Sequence, residues 1–215
     1  MGTTRITPDL TFESAAMAQG FARIAGVDEV GRGPLAGPVT AAAVILGPNR
    51  IPPGINDSKK LTEPRRRALA QAIRDNALGW AIAHATVAEI DAMNILQASH
   101  LAMKRALQAL VPAADFALVD GNMMPRGMPV PGQTLIKGDA RSLSIGAASI
   151  LAKVERDQIM LELAQIHPQY GWDRNAGYPT AQHRAALRQF GATPHHRTSF
   201  APLRKMLCEE NNITP

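Results

Sequence analysis

Apolar residues along this chain come in short runs, and most runs end at a glycine-rich or acidic break. From Phe21 to Asp28 the run FARIAGVD reads as a buried strand ending in the paired carboxylates Asp28 and Glu29. The turn Gly31-Arg32-Gly33-Pro34 follows, and Pro38–Leu46 supplies a second strand of small and β-branched residues, so the two are predicted to be antiparallel neighbours. After the polar loop Asn56–Leu61, Thr62 is placed to cap a helix with Pro64 in its first turn, running to about Asn76. Trp80–Thr86 alternates as a third strand, and Val87–Asn94 and Ile95–Leu110 read as consecutive helices. Phe116–Val119 is a short strand ending at Asp120-Gly121, and Thr134–Ile136 another, ending at Lys137-Gly138-Asp139. Ile145–Ile166 reads as a long helix whose first half is rich in small residues, as close packing on a sheet requires. Tyr170–Pro179 reads as a loop, and Ala181–Gln189 and Pro202–Leu207 as short helices. Residues 1–20, polar and aperiodic, read as a loose leader. The order predicts an α/β sheet with a helical tail, as one domain over residues 21–215.

Composition narrows this little. At 46% hydrophobic and 19% charged, the 215 residues suit a globular chain with a real core. The longest apolar run, Val39–Leu46, is far too short to span a bilayer, and no secretion or myristoylation signal opens the chain. The single cysteine, Cys208, excludes an internal disulfide and a cysteine-clustered zinc site. A cytoplasmic protein with no membrane contact is therefore expected. The net charge of +5 suits a polyanionic partner, though a basic proteome accounts for it equally well. Aromatics at 4% argue against a single-strand binder built on stacking platforms.

The informative pattern is where the acids fall. Asp28 and Glu29 end one predicted strand, Asp120 ends another, and Asp139 follows a third. If those strands are neighbours, the carboxylates converge and repel one another, and a bound divalent cation relieves the repulsion. Oxygen donors without matching His or Cys suit Mg²⁺ or Mn²⁺ rather than zinc. Such clusters, holding one or two ions, serve phosphoryl transfer. Any one of these acids alone could be a turn or a cap. From the residues themselves the reading reaches a metal-dependent phosphoesterase and stops.

The blocks GVDEVGRGPLAGP (Gly26–Pro38), NDSKKLTE (Asn56–Glu63), VDGN (Val119–Asn122), KGD (Lys137–Asp139) and AASILAKVERD (Ala147–Asp157) resemble those of the type 2 ribonucleases H, in their bacterial ribonuclease HII branch. PQYGW (Pro168–Trp172), GYPT (Gly177–Thr180) and HHRTSF (His195–Phe200) continue the resemblance, which covers about residues 22–205. It implies a ribonuclease H-like fold: a five-stranded mixed sheet flanked by helices, with a C-terminal helical segment. It implies an endonuclease acting on the RNA strand of RNA–DNA hybrids and on single ribonucleotides in duplex DNA, cutting on their 5′ side. Mn²⁺ or Mg²⁺ would be held by Asp28, Glu29, Asp120 and Asp139, as both catalytic and metal-binding residues. Gly31, Arg32 and Gly33 would read the ribose, and Tyr178 would stack on the neighbouring sugar. Lys59 and Lys60 are expected to contact phosphates. A monomer is expected, and no sliding-clamp-binding motif is evident in the tail MLCEENNITP. A Lys in place of Arg32 and an added N-terminal domain would mark ribonuclease HIII instead.

His195-His196-Arg197 reads as loop packing or a phosphate contact rather than a metal cluster. Lys153, Glu155, Arg156 and Asp157 read as charges along one helix, with Lys153 and Asp157 four apart as an ion pair. Two rivals stay open: a non-catalytic hybrid binder, and a different metal-dependent nuclease of the same fold.

Overall fold

Small and β-branched residues bury Val39–Ile45 (β2) along its whole length, with the one hydroxyl, that of Thr40, bonded to His84. It pairs antiparallel with Ile24–Val30 (β1), Ala25 opposite Ile45 and Val30 opposite Thr40. The computed structural model describes residues 7–201 and 203–205. Gly79–Ala85 (β3), Phe116–Asp120 (β4) and Gly132–Leu135 (β5) complete a five-stranded sheet in the order β3–β2–β1–β4–β5. β4 runs parallel to β1 with Val27 beside Val119, and β5 runs parallel to β4, so the sheet is mixed. The helices are α1 (Thr11–Ala18), α2 (Glu63–Asn76), α3 (Val87–Met93), α4 (Ile95–Gln108), α5 (Leu143–Ile166), the single turn α6 (Trp172–Asn175) and α7 (Ala181–Phe190).

Contacts divide the described chain into two compact units. The first holds residues 7–30, 40–84 and 100–155, which carry the sheet. On it, Ala42, Val44, Ile73, Ala147, Ile150 and Leu151 close one core cluster, and Ala16, Ile24, Phe116, Leu118 and Ile145 a second. Gly26 allows β1 to approach the start of α5: a Cβ there would lie 2.0 Å from the Ser144 carbonyl carbon and 2.2 Å from the Ile145 nitrogen. The second unit holds residues 31–39, 85–99, 156–201 and 203–205. Its core gathers Leu35, Ala36, Met160, Tyr170, Trp172 and Leu187, with the Tyr170 and Trp172 rings stacked at 5.0 Å.

Three local expectations need correction. The leader is not loose over the described residues 7–20: α1 forms there, and its Glu13 is buried at the start of α5. Glu13 Oε1 accepts from Ser142 Oγ at 2.6 Å and from the Ser144 amide at 3.0 Å, satisfying an N–H that the helix leaves open. Thr62 takes the cap position of α2 but makes no side-chain capping bond, whereas Thr86 closes a capping box with Glu89 on α3. The Tyr170–Pro179 loop contains α6. Residues 1–6, Cys208, the tail and part of the Pro202–Leu207 helix lie outside the described residues. No helix of the described residues is long and apolar enough to cross a membrane.

Candidate active site

The register of β1 and β4 sets the first two acids. Val27 and Val119 are partners in the parallel pair, and the next residues on the two strands are Asp28 and Asp120. Both side chains therefore emerge at the C-terminal ends of adjacent parallel strands. Asp120 is also paired with Leu135 on β5. Beyond β5, Lys137 adopts a left-handed conformation and starts the 3₁₀ turn Gly138–Ala140, which carries Asp139. The Gly138 amide donates to Asp120 Oδ1 at 2.6 Å, and a Cβ at Gly138 would crowd Ile145 at 2.6 Å and that same oxygen at 3.2 Å. The KGD turn is thus fastened to Asp120 by a backbone bond that only glycine accommodates.

Asp28 is 5% exposed. Burial, and then the charges of Glu29 and Asp120, hold its carboxyl well above the usual range; Asp139 adds to the rise, and a hydrogen bond from Ser149 opposes it. Asp139 is raised as well, by partial burial and then by Asp120 and Asp57, with Lys59 opposing. The four predicted acids therefore act on one another, and Asp57 joins them. Asp57 Oδ1 accepts from the Lys59 amide at 2.9 Å and caps the 3₁₀ turn Ser58–Lys60. Ser58 Oγ meets Ser149 Oγ at 3.0 Å, which ties this turn to the group that supports Asp28. Lys59 and Lys60 are exposed on the same turn.

Oxygen donors alone, crowded until two of them resist ionising, are the donor set of a hard divalent ion. Among the described residues, however, no three His, Cys, Asp or Glu side chains already stand as a closed metal site. Asp28 Oδ1 is turned to the Glu29 amide at 2.7 Å, as Asp120 Oδ1 is to Gly138. The set fits a divalent ion in charge and in donor chemistry.

The second unit carries the remaining predicted residues. Gly31 is buried with φ +96°, while Arg32 and Gly33 are exposed. A Cβ on Gly33 would lie 3.3 Å from Tyr178 Cε1, so that ring stands beside the turn, 46% exposed. The Tyr178 carbonyl accepts from His183 Nδ1 at 3.0 Å. The Thr193 amide donates to His196 Nδ1, which puts the His196 proton on Nε2; His196 Nε2 and Trp172 Nε1 then both donate to His183 Nε2, each at 3.1 Å. Both rings are neutral in this relay, and burial followed by His183 pushes His196 down to about 3. Of the two histidines expected in loop packing or a phosphate contact, His196 is packed inside the loop.

Sequence reasoning assigned no role to Asp57, Ser149 or His183, and read Arg156 only as a charge along one helix and Arg197 only as loop packing or a phosphate contact. Arg156 and Arg197 are fully buried, and each donates to backbone carbonyls of the segment that follows Gly31. Except for His183, these residues lay inside the recognised blocks, but their partners are distant in sequence or belong to the backbone.

A family model described as Ribonuclease HII matches residues 25–203. A ribonuclease HII of Ruegeria sp. (strain TM1040) is 62% identical over 203 residues, covering 94% of this chain and 88% of its own. That of Paracoccus denitrificans (strain Pd 1222) is 60% identical, covering 96% and 98%. The crystal structure of ribonuclease H2 from Pyrococcus horikoshii OT3 superposes with a TM-score of 0.75 at 27% identity, over 90% of this chain and all of that one. The mixed five-stranded sheet flanked by helices is thus the ribonuclease H fold, and the chain belongs to the ribonuclease HII family of metal-dependent endoribonucleases.

Proposed function

We propose that this ribonuclease H hydrolyses the RNA strand of RNA–DNA hybrids and also cuts on the 5′ side of single ribonucleotides in duplex DNA, leaving 3′-hydroxyl and 5′-phosphate ends. The observation that carries the reading is the joining of two features in one stretch of chain. Asp28 and Glu29 lie in the last three residues of β1, and Gly31-Arg32-Gly33 follows directly after Val30. Acids suited to phosphodiester hydrolysis therefore lie next in sequence to a glycine turn suited to probing a 2′-hydroxyl. Glycine lets a backbone come close enough to exchange hydrogen bonds with that group, which DNA lacks.

In this reading Asp28, Glu29, Asp120 and Asp139 hold one or two divalent ions, Mn²⁺ or Mg²⁺. When bound, the ions supply an activated water and charge stabilisation at the departing 3′-oxygen. Asp28 and Asp120 present carboxylates from rigid strand ends, and Gly138 keeps Asp120 oriented. Ser149 and the Glu29 amide hold Asp28. Tyr178 offers an exposed ring beside the turn for a sugar, and Arg32, Lys59 and Lys60 offer charge to phosphates. No covalent enzyme intermediate is called for. A structural neighbour, Bst-RNase HIII, is described in complex with Mn²⁺, in keeping with the ion class. Ribonuclease HII from Archaeoglobus fulgidus is described in a complex with PCNA. The tail of this chain, where no clamp motif is evident, lies outside the described residues.

The test compares three duplexes, one all DNA, one with a single ribonucleotide and one an RNA–DNA hybrid, with product ends mapped. Cutting 5′ of the ribonucleotide, with 3′-hydroxyl products and no cutting of all-DNA duplex, is expected. Asp120→Asn should fold and lose turnover by several orders of magnitude, because the amide removes a charge proposed to hold the ions. Cleavage of all three duplexes at similar rates removes the ribose reading.

A further inference from the structure

Two guanidinium groups in the second unit are withdrawn from water: Arg156 is 1% exposed and Arg197 0%. Such burial is costly to a charged group unless hydrogen bonds compensate. Here the compensation comes from backbone carbonyls. Arg197 donates through Nη2 to Gly31 O at 2.6 Å, Gly37 O at 2.8 Å and Pro38 O at 3.1 Å. Its Nη1 reaches Arg32 O at 3.1 Å and Pro34 O at 2.8 Å, and its Nε reaches Gly37 O at 2.9 Å. Arg156 spans two loops: Nε to Pro38 O, Nη2 to Ala36 O and Nη1 to Ala176 O, each at 3.0 Å. Both groups stay cationic near neutrality even though burial draws Arg197 down to about 9 and Arg156 to about 10.

Within the segment they hold, Leu35 and Ala36 are buried in the core of the unit. Gly31-Arg32-Gly33-Pro34 and Gly37-Pro38 carry few side chains that pack, and glycine is costly to order. Carbonyls converging on one point repel, and a cation at that point turns the repulsion into attraction. The fit is close: a Cβ on Gly31 would lie 2.1 Å from Arg156 Nε, and one on Gly177 2.7 Å from Ala36 O. The backbone is further tied by Leu35 N to Gly177 O and Arg197 N to Leu35 O, each at 2.8 Å. A lysine ammonium, with its compact donors, cannot reproduce a planar fork reaching this many carbonyls.

We propose that Arg156 and Arg197 are positioning residues for ribose recognition, holding the Gly31–Pro38 backbone and the Ala176–Tyr178 loop as one preformed reader. The inference rests on the reading of that turn given under the proposed function. Preformation removes the ordering cost from substrate binding and fixes the donors and acceptors that meet the 2′ group.

The experiment uses Arg156→Lys and Arg197→Lys in the full chain, with thermal melts to establish folding. One readout is the ratio of kcat/KM for a duplex carrying a single ribonucleotide to that for the same duplex with a 2′-fluoro nucleotide. The other is hydrogen exchange of the 31–38 amides without substrate. The expected result is a ratio lower by about tenfold or more in both variants, with faster exchange at 31–38. A fault that only lowers the folded fraction reduces both substrates equally and leaves the ratio alone. An unchanged ratio, or unchanged exchange in folded variants, overturns the assignment. If neither lysine variant folds, the wild type decides: exchange at 31–38 as slow as in β1 before substrate is added is expected, and exchange that slows only with substrate overturns the proposal. A wild type indifferent to the 2′ group sinks the ribose reading itself; a discriminating wild type with equally discriminating variants sinks only the role of the arginines.

Discussion

Replacing Asp28 by Asn should make the protein more stable while abolishing its activity. Asp28 is 5% exposed, and it stands one residue beyond the Val27–Val119 pair, next to Asp120 on the adjoining strand. Adjacent strands lie about 4.8 Å apart, and like charges at that spacing repel by about 3 kcal/mol at an effective permittivity near 20. Splayed side chains weaken this, so a gain of roughly 1–3 kcal/mol is expected for Asp28→Asn at about pH 8. Asparagine keeps the acceptor oxygen for the Glu29 amide, now at 2.7 Å, so nothing is left unsatisfied there. For a chain of this size the gain corresponds to a melting rise of roughly 2–12 °C. The pH dependence follows from the direction of the shift. Burial, Glu29 and Asp120 raise the Asp28 pKa above its unfolded value, so the folded state holds this proton more tightly than the unfolded state. The penalty is present where wild-type Asp28 is ionised and is relieved as pH falls through its folded pKa. The Asn variant has no such term, and its advantage should shrink as pH is lowered from about 8. Thermal melts of both proteins across this range, with and without Mn²⁺, are the assay; the ion should stabilise the wild type more. A variant less stable at about pH 8, or a gap independent of pH, refutes the reasoning.

Other consequences are equally direct. Gly26→Ala puts a Cβ 2.0–2.4 Å from backbone atoms of Ser144 and Ile145, which no rotamer relieves, and should cost about 3 kcal/mol or more; a melting point within about 2 °C of wild type contradicts it. Gly33→Ala meets only the Tyr178 ring, at 3.3 Å, so stability should move by less than about 0.5 kcal/mol while ribose-over-deoxyribose selectivity falls; a variant that unfolds, or keeps full selectivity, opposes this. Lys59→Ala and Lys60→Ala should each lower the slope of log affinity against log salt by about 0.9, with turnover at saturating substrate little changed. Identical slopes would remove these residues from the phosphate contacts.

The sheet and the acids were legible because both follow local rules. β1 and β4 are apolar runs with an acid at the exit, and the parallel register then places Asp28 beside Asp120 without further information. Mutual repulsion among the acids was likewise foreseeable from their number. What stayed hidden depends on distant or backbone partners. α1 has only a weak apolar face, and its buried Glu13 finds Ser142 and Ser144 across more than a hundred residues of chain. Arg197 reads as one more basic residue after two histidines, because the carbonyls that surround it leave no trace in residue type. Arg156 reads as one helical charge among four for the same reason. Asp57 belonged to a recognised block, but its influence on Asp139 exists only once the Ser58–Lys60 turn is folded.

The central claim is that a crowd of carboxylates becomes functional when a divalent ion joins it at a ribose-marked phosphodiester. It is tested most directly by single-turnover cleavage of a duplex bearing one ribonucleotide, using chelator-stripped protein to which Mn²⁺ is then returned in steps. No cutting is expected from the stripped protein and, as the ion is restored, a single cut immediately 5′ of the ribonucleotide. Undiminished cutting by the stripped protein, or equal cutting of an all-DNA duplex once the ion is back, would contradict it.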